Sequence, residues 1–200
     1  HQRCDATAAN PQHATTCVIT GKEKRHGDDP GVPPPAGLTE YLIPTRAIDS
    51  HDPDIRATAQ TILNGTADVT EQIGKLVGWL QKHVTQKPVD VFTARDVFER
   101  REAECQGLTL LYSALARSVG IPTRVTNGVV YLAELDGFLY HTWAESYVGT
   151  GWLPVDPTFG QIGVDATHLK LVDGESTKEL LPLVKLIGKL RITVLDYQYF

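Results

Sequence analysis

The hydrophobic periodicity of this chain changes once, at Gly120-Ile121-Pro122, and that change constrains the fold more than any other feature. Before it, apolar residues recur three and four apart; after it they alternate. Asp52 and Pro53 make an N-cap followed by a favoured first helical residue. Ile55, Ala59, Ile62 and Leu63 then keep helical spacing, which predicts a helix over 53–64. A second helical pattern starts at Thr70, with Ile73, Leu76, Val77, Leu80 and Val84 on one face. Thr93 opens a short helix in "TARDVFERR", and the polar, irregular "EAEC" after it means that the chain reorients before Cys105. From Gln106, Leu108, Leu111, Leu115 and Val119 mark the stripe of a buried helix, which Gly120 and Pro122 end.

The second half reads as strands. "TRVTNGVVYLAELDGFLYHTWAESYV" holds two β-rich runs joined at Asp136-Gly137, a strong hairpin signal, and "GTG" at 149–151 turns the second run into a third, "WLPVD". "KLRITVLDYQYF" reads as a further strand, at an edge. Helices first and an antiparallel sheet after them define an α+β chain. Residues 1–37, which include "HGDDPGVPPPAG", read as an extended Pro/Gly-rich arm, and 38–200 as the folded domain. With 200 residues, 42% of them hydrophobic, the chain can bury one sizeable core.

Charge and composition exclude two partner classes. The formal net charge is -5 and no run of lysines or arginines forms a basic stripe, so nucleic acid is not an expected partner. The most apolar late stretch, "LLPLVKLIGKL", is broken by Pro182, Lys185 and Lys189, and no run approaches the roughly 18 apolar residues that span a bilayer. Methionine is absent even at position 1, as expected of a processed chain or an excised piece of a longer one. Of three cysteines, Cys4 and Cys17 lie close together in a polar segment while Cys105 stands apart. A Cys4–Cys17 disulfide implies an oxidising compartment, periplasmic or otherwise extracytoplasmic; two thiols in a loose tail fit the spacing equally well.

Cys105 is the residue that carries chemistry. In the first turn of a helix it sits among unpaired backbone N–H groups at the positive end of the dipole, which favours thiolate over thiol. Alternation places Leu139, His141, Trp143, Glu145 and Tyr147 on one sheet face, and the turn at 149–151 folds Asp156 back toward His141. Each of the three has a plainer reading: a small buried hydrophobe, a satisfied core histidine, a turn-forming Asp-Pro. Together they supply nucleophile, general base and orienting acid, the recurring logic of thiol acyl-transfer sites. Neither Cys-x-x-Cys nor His-x-x-x-His spacing occurs around them, and no acidic loop has ligand spacing, so neither metal nor cofactor is expected. The large apolar area of Trp143 and Trp152 favours a core role, and Gly107, Gly120 and Pro122 read as packing and helix-end residues.

"CQGLTLLYSALARSVGIPTRVTNGVVY", "FLYHTWAESYV" and "WLPVDPTFGQ", in that order, resemble the core of the transglutaminase-like superfamily, within the papain-like cysteine-enzyme folds. "VDATHLKL" resembles its bacterial branch. The resemblance is strongest over 92–172. It implies a helix bearing the nucleophile packed on an antiparallel sheet, with Cys105 matching the family's nucleophile, His141 its base and Asp156 its orienting acid. It also implies a protein or peptide substrate, attacked at an amide to give a thioester, with water or an amine as acceptor. Many relatives carry Gly-Asp before the cysteine, whereas this chain has Ala103 and Glu104. A carboxylate aimed at the sulfur would raise the thiol pKa, and the alternative reading is therefore an impaired peptide-binding or scaffolding module on the same fold.

Overall fold

The computed structural model describes residues 2–4, 15–20, 37–186 and 188–198. Most of the arm expected over 1–37, including "HGDDPGVPPP", lies outside the described residues. Two short strands near the start, β1 (Gln2–Cys4) and β2 (Cys17–Ile19), pair antiparallel and are joined by a Cys4–Cys17 disulfide. The Gln2 side chain donates to Lys170 O (3.0 Å) and accepts from Lys170 N (2.8 Å), which ties β1 to a later strand.

Helix α1 (Pro53–Leu63) begins where its Asp52-Pro53 cap predicts, and α2 (Val69–His83) begins one residue before Thr70, behind an Asp68 cap that the sequence reading did not single out. Asp52 Oδ1 accepts from Asp54 N and Ile55 N, and Asp68 Oδ1 from Glu71 N, so each carboxylate satisfies first-turn amides and complements the helix dipole. After β3 (Thr85–Gln86) comes α3 (Ala94–Arg100), held by a reciprocal capping box between Thr93 and Asp96. Arg101 ends α3 in the left-handed region (φ 59°), and β4 (Glu102–Ala103) then pairs parallel with β3. This is the expected reorientation, and it delivers the chain to α4 (Cys105–Ser118), which starts one residue earlier than the apolar stripe suggested.

α4 is the buried axis of the molecule, with every residue from Gly107 to Arg117 out of solvent. Ile55 and Ala59 of α1, Ile73, Leu76 and Leu80 of α2 and Val97 of α3 pack into the same core, which Leu108, Leu111 and Leu115 fill from α4. The sheet closes it with Val125, Ala144 and Val155. Such burial, at roughly 1.5–3 kcal/mol per large aliphatic side chain, dominates the stability. Polar groups on α4 are matched to the sheet: Thr109 Oγ1 donates to Thr142 O (3.1 Å), and Tyr112 Oη meets Ser146 Oγ (2.8 Å), itself paired with Thr123 Oγ1.

The sheet comprises β5 (Thr123–Leu132), β6 (Gly137–Tyr147), β7 (Trp152–Asp156), β8 (Gln161–Ile162) and β9 (His168–Asp173), in the order β8-β7-β6-β5-β9 and antiparallel throughout. β5 and β6 form the expected hairpin, but Leu132 opposes Gly137, so the connection is a four-residue turn through a 3-10 segment at Ala133–Leu135 and left-handed Asp136. A two-residue Asp-Gly turn is not formed. β9 and the closing helix α5 (Thr177–Val184) were not anticipated.

The strand expected in "KLRITVLDYQYF" is absent among the described residues 188–198. β9 already occupies the free edge of β5, and β-propensity without a partner does not make a strand. Leu190, Ile192 and Val194 instead line a cavity of about 410 Å³ with Tyr131, Phe138 and Tyr140 of the hairpin. No helix among the described residues is long and apolar enough to cross a membrane.

Candidate functional site

Cys105 is the first residue of α4, partly exposed and without a disulfide partner. Its place is set by close packing behind it. A Cβ on Gly107 would come within 2.8 Å of both Ala103 Cβ and Val91 Cγ2 and 3.0 Å of Val97 Cγ2, so only glycine lets the helix start press against β4 and α3. Glu104, the N-cap residue, is exposed and its side chain makes no capping hydrogen bond. The first-turn amides are therefore not taken up by a Glu104 side-chain cap.

His141 lies mid-strand in β6 and Asp156 at the end of β7. Ala144 opposes Val155 across the two strands, which puts Asp156 on the sheet face of Trp143 and His141. His141 Nε2 and Asp156 Oδ2 are 2.7 Å apart, both side chains almost wholly buried. Cys105, at the start of α4, is a close enough neighbour of the ring to raise its pKa. The structure thus brings together all three of the residues singled out in the sequence.

Electrostatics reinforce the line. Burial by itself would lower the pKa of His141, but the hydrogen bonds and charges of Asp156 and Cys105 outweigh it and raise the value from 6.5 to about 9. Burial likewise works against the Asp156 carboxylate, yet hydrogen bonds from His141 and His168 hold its pKa well below the usual carboxylate range. Asp156 Oδ1 also accepts from the backbone N–H groups of Thr158 (2.7 Å) and Phe159 (3.2 Å), in a tight turn that fixes its rotamer.

Two residues of the site were not found in the sequence. His168 Nε2 lies 3.0 Å from Asp156 Oδ2, the oxygen that His141 also uses. β9 and β7 are separated by β5 and β6, a span of about 14 Å in a flat sheet. The 3.0 Å contact therefore requires the sheet to curve between β7 and β9; β5 carries a register irregularity against β9 at Asn127/Gly128, where a Cβ on Gly128 would stand 2.8 Å from Trp143 Cη2 and 2.1 Å from Leu169 O. Phe159, still 43% exposed, stacks on His141 at 5.1 Å and shields it from the solvent side. Trp143 lies against the site from within the core, at 6.0 Å from His141 and edge-on to His168 at 5.2 Å. Trp152 is half-buried with the Arg124 guanidinium 4.2 Å over its ring, and Glu145 accepts from Arg124 and Lys170.

His141, Asp156 and His168 are also the group among the described residues whose donor atoms, all within 4.8 Å, can converge on a metal ion. Ligands about 2.0–2.1 Å from a tetrahedral zinc stand about 3.3 Å apart. The separations here, 2.7 and 3.0 Å, are instead those of N–H···O hydrogen bonds. A larger cavity of about 740 Å³, lined by Ser50, Arg56, Gln72 and Arg117, opens at the other end of α4, about 20 Å away along the helix, and takes no part in this chemistry.

A cysteine at the start of a buried helix, facing a histidine on an antiparallel sheet, is the arrangement of the transglutaminase and papain-like fold. A structure with this fold, from Cytophaga hutchinsonii and described as a candidate cysteine protease, superposes with a TM-score of 0.60 at 20% identity, covering 73% of this chain and 50% of that one. Residues 56–157 match the transglutaminase-like superfamily, and the chain belongs to it. The periplasmic domain of TgpA from Pseudomonas aeruginosa is similar at 23% identity and a TM-score of 0.49, over 62% of this chain and 49% of that one. The chain spans about half the length of these two structures. No curated protein matches it.

Proposed function

We propose that the chain is a thiol-dependent acyl-transfer enzyme acting on amide bonds of proteins or peptides, with Cys105 as nucleophile, His141 as general base and acid, and Asp156 as the group that orients His141. The observation that carries this reading is the buried His141–Asp156 pair, 2.7 Å apart, with the unpaired Cys105 at the start of α4 close enough to raise the pKa of the imidazole. Asp156 holds the proton of Nε2, so the other ring nitrogen takes the thiol proton. The thiolate adds to the amide carbonyl, and backbone N–H groups in the first turn of α4 receive the oxyanion, each good donor contributing about 3 kcal/mol. His141 returns the proton to the leaving nitrogen as the C–N bond breaks, which leaves a thioester on Cys105. Water or an amine then attacks the thioester, His141 takes the proton of the acceptor, and the thiol is restored.

The Cys4–Cys17 disulfide supports an oxidising, extracytoplasmic location. The test of function uses a mixed peptide pool with a fluorescent primary amine present, followed by mass spectrometry. The intact protein is expected to produce new termini, deamidated glutamines or amine adducts that Cys105→Ser does not. Identical spectra from the two proteins would refute acyl transfer.

A further inference from the structure

Asp156 carries more donors than an orienting acid needs. Oδ1 takes two backbone N–H groups, and Oδ2 takes His141 Nε2 at 2.7 Å and His168 Nε2 at 3.0 Å. His168 is 4% exposed and is itself anchored, its Nδ1 3.2 Å from Thr167 Oγ1 and 3.3 Å from Asp165 Oδ1. Its strand is fixed by the pairing of Val130 with His168 and by Tyr131 N donating to Thr167 O. A buried ring so placed does not touch the sulfur and has no step in the mechanism above.

We propose that His168 is a positioning residue: by donating Nε2–H to Asp156 Oδ2 it locks the carboxylate toward His141 and withdraws part of its charge, so that His141 gives its proton back to the leaving group. This rests on the functional reading of Cys105, His141 and Asp156. A donor to a carboxylate stabilises its charge locally and weakens its hold on any other proton. A general acid-base group works best when its pKa is not far from the working pH, and without His168 the whole charge of Oδ2 would fall on His141. The charged and titratable groups facing the two rings are Cys105 from α4, Asp156 from β7 and Asp165 from the β8–β9 connection. Further along the face, Lys170 is held by Glu145 and Asp173 at 2.7 Å each, and Arg124 by Glu145 at 2.6 Å.

The experiment is the pH titration of the His141 imidazole by nitrogen–proton NMR in the parent and in His168→Gln, His168→Asn and His168→Phe, with a thermal melt of each. Gln puts its amide nitrogen where Nε2 stood, whereas Asn reaches only as far as Nδ1 and Phe fills the space without a donor. The midpoint in Asn and Phe is expected to rise by about one pH unit, a tenfold tighter proton, for loss of a hydrogen bond to a charged group. Gln is expected to stay near the parent. The two polar variants decide the matter even if Phe does not fold. Midpoints that stay put or fall in Asn, or that move equally in Gln and Asn, would overturn the proposal while leaving the functional reading intact.

Discussion

Asp156→Asn isolates the charge at the centre of the site. In the parent, burial pulls the pKa of His141 down, and the partners raise it from 6.5 to about 9 regardless, with the Asp156 hydrogen bond the largest favourable cause. The rise amounts to on the order of 3 kcal/mol of preference for the imidazolium, at about 1.4 kcal/mol per pH unit. Asn keeps the size and an acceptor oxygen at the 2.7 Å contact but has no charge, so the favourable side shrinks while the burial penalty remains. The midpoint of His141 is expected to fall by at least two pH units, to below about 7. Nitrogen–proton NMR of the imidazole over pH 5–10 reads it directly, and Cys105 alkylation at pH 6 should slow at least tenfold. A midpoint that stays near 9 in a folded Asp156→Asn protein would refute the claim that this carboxylate sets the state of His141.

Three further outcomes follow from the same geometry. Asp156 has a folded pKa below its unfolded value, so its contribution to stability is present above the ordinary carboxylate range and is lost as pH falls through it. The difference in melting temperature between parent and Asp156→Asn should therefore narrow as pH drops below about 4, and parallel curves would contradict this. Gly107→Ala forces a Cβ to 2.8 Å from Ala103 and Val91 and is expected to cost about 1–3 kcal/mol in thermal or denaturant unfolding, with slower Cys105 labelling; an unchanged midpoint would show that the helix start is not tightly packed. Thr109→Val removes the 3.1 Å bond from α4 to Thr142 O, one turn along from Cys105 and beside His141, and should cost about 1 kcal/mol in the same melts.

Much of the fold was legible because local chemistry and tertiary structure agree. Asp52 and Thr93 cap the helices that their positions announce, and the apolar stripes of α2 and α4 are the buried faces. His141 and Asp156 were legible because a short turn at 149–151 fixes the register of β7 on β6, and two-residue alternation then decides the face. His168 was not, because "VDATHLKL" has too few alternating residues to announce a strand, and its contact with Asp156 depends on β9 crossing to the far edge of β5 and on a sheet curved enough to bring β9 and β7 together. Long-range pairing of that kind leaves no local periodicity. The same limit explains "KLRITVLDYQYF", where propensity was strong but the edge was already filled. The exposed Glu104 also bears on the impaired-module reading: its side chain neither caps α4 nor removes the cysteine from its place at the helix start.

The most direct measurement is the rate of Cys105 alkylation by iodoacetamide against pH, for the parent and for His141→Ala. Cys105 is the one cysteine outside a disulfide, so the label reports a single site. A thiolate paired with His141 is expected to label rapidly near pH 6, well below the pKa of about 8.5 of an ordinary thiol, and to lose that reactivity in His141→Ala. Labelling that rises only above about pH 8, with or without the histidine, would contradict the nucleophile and base assigned to this site.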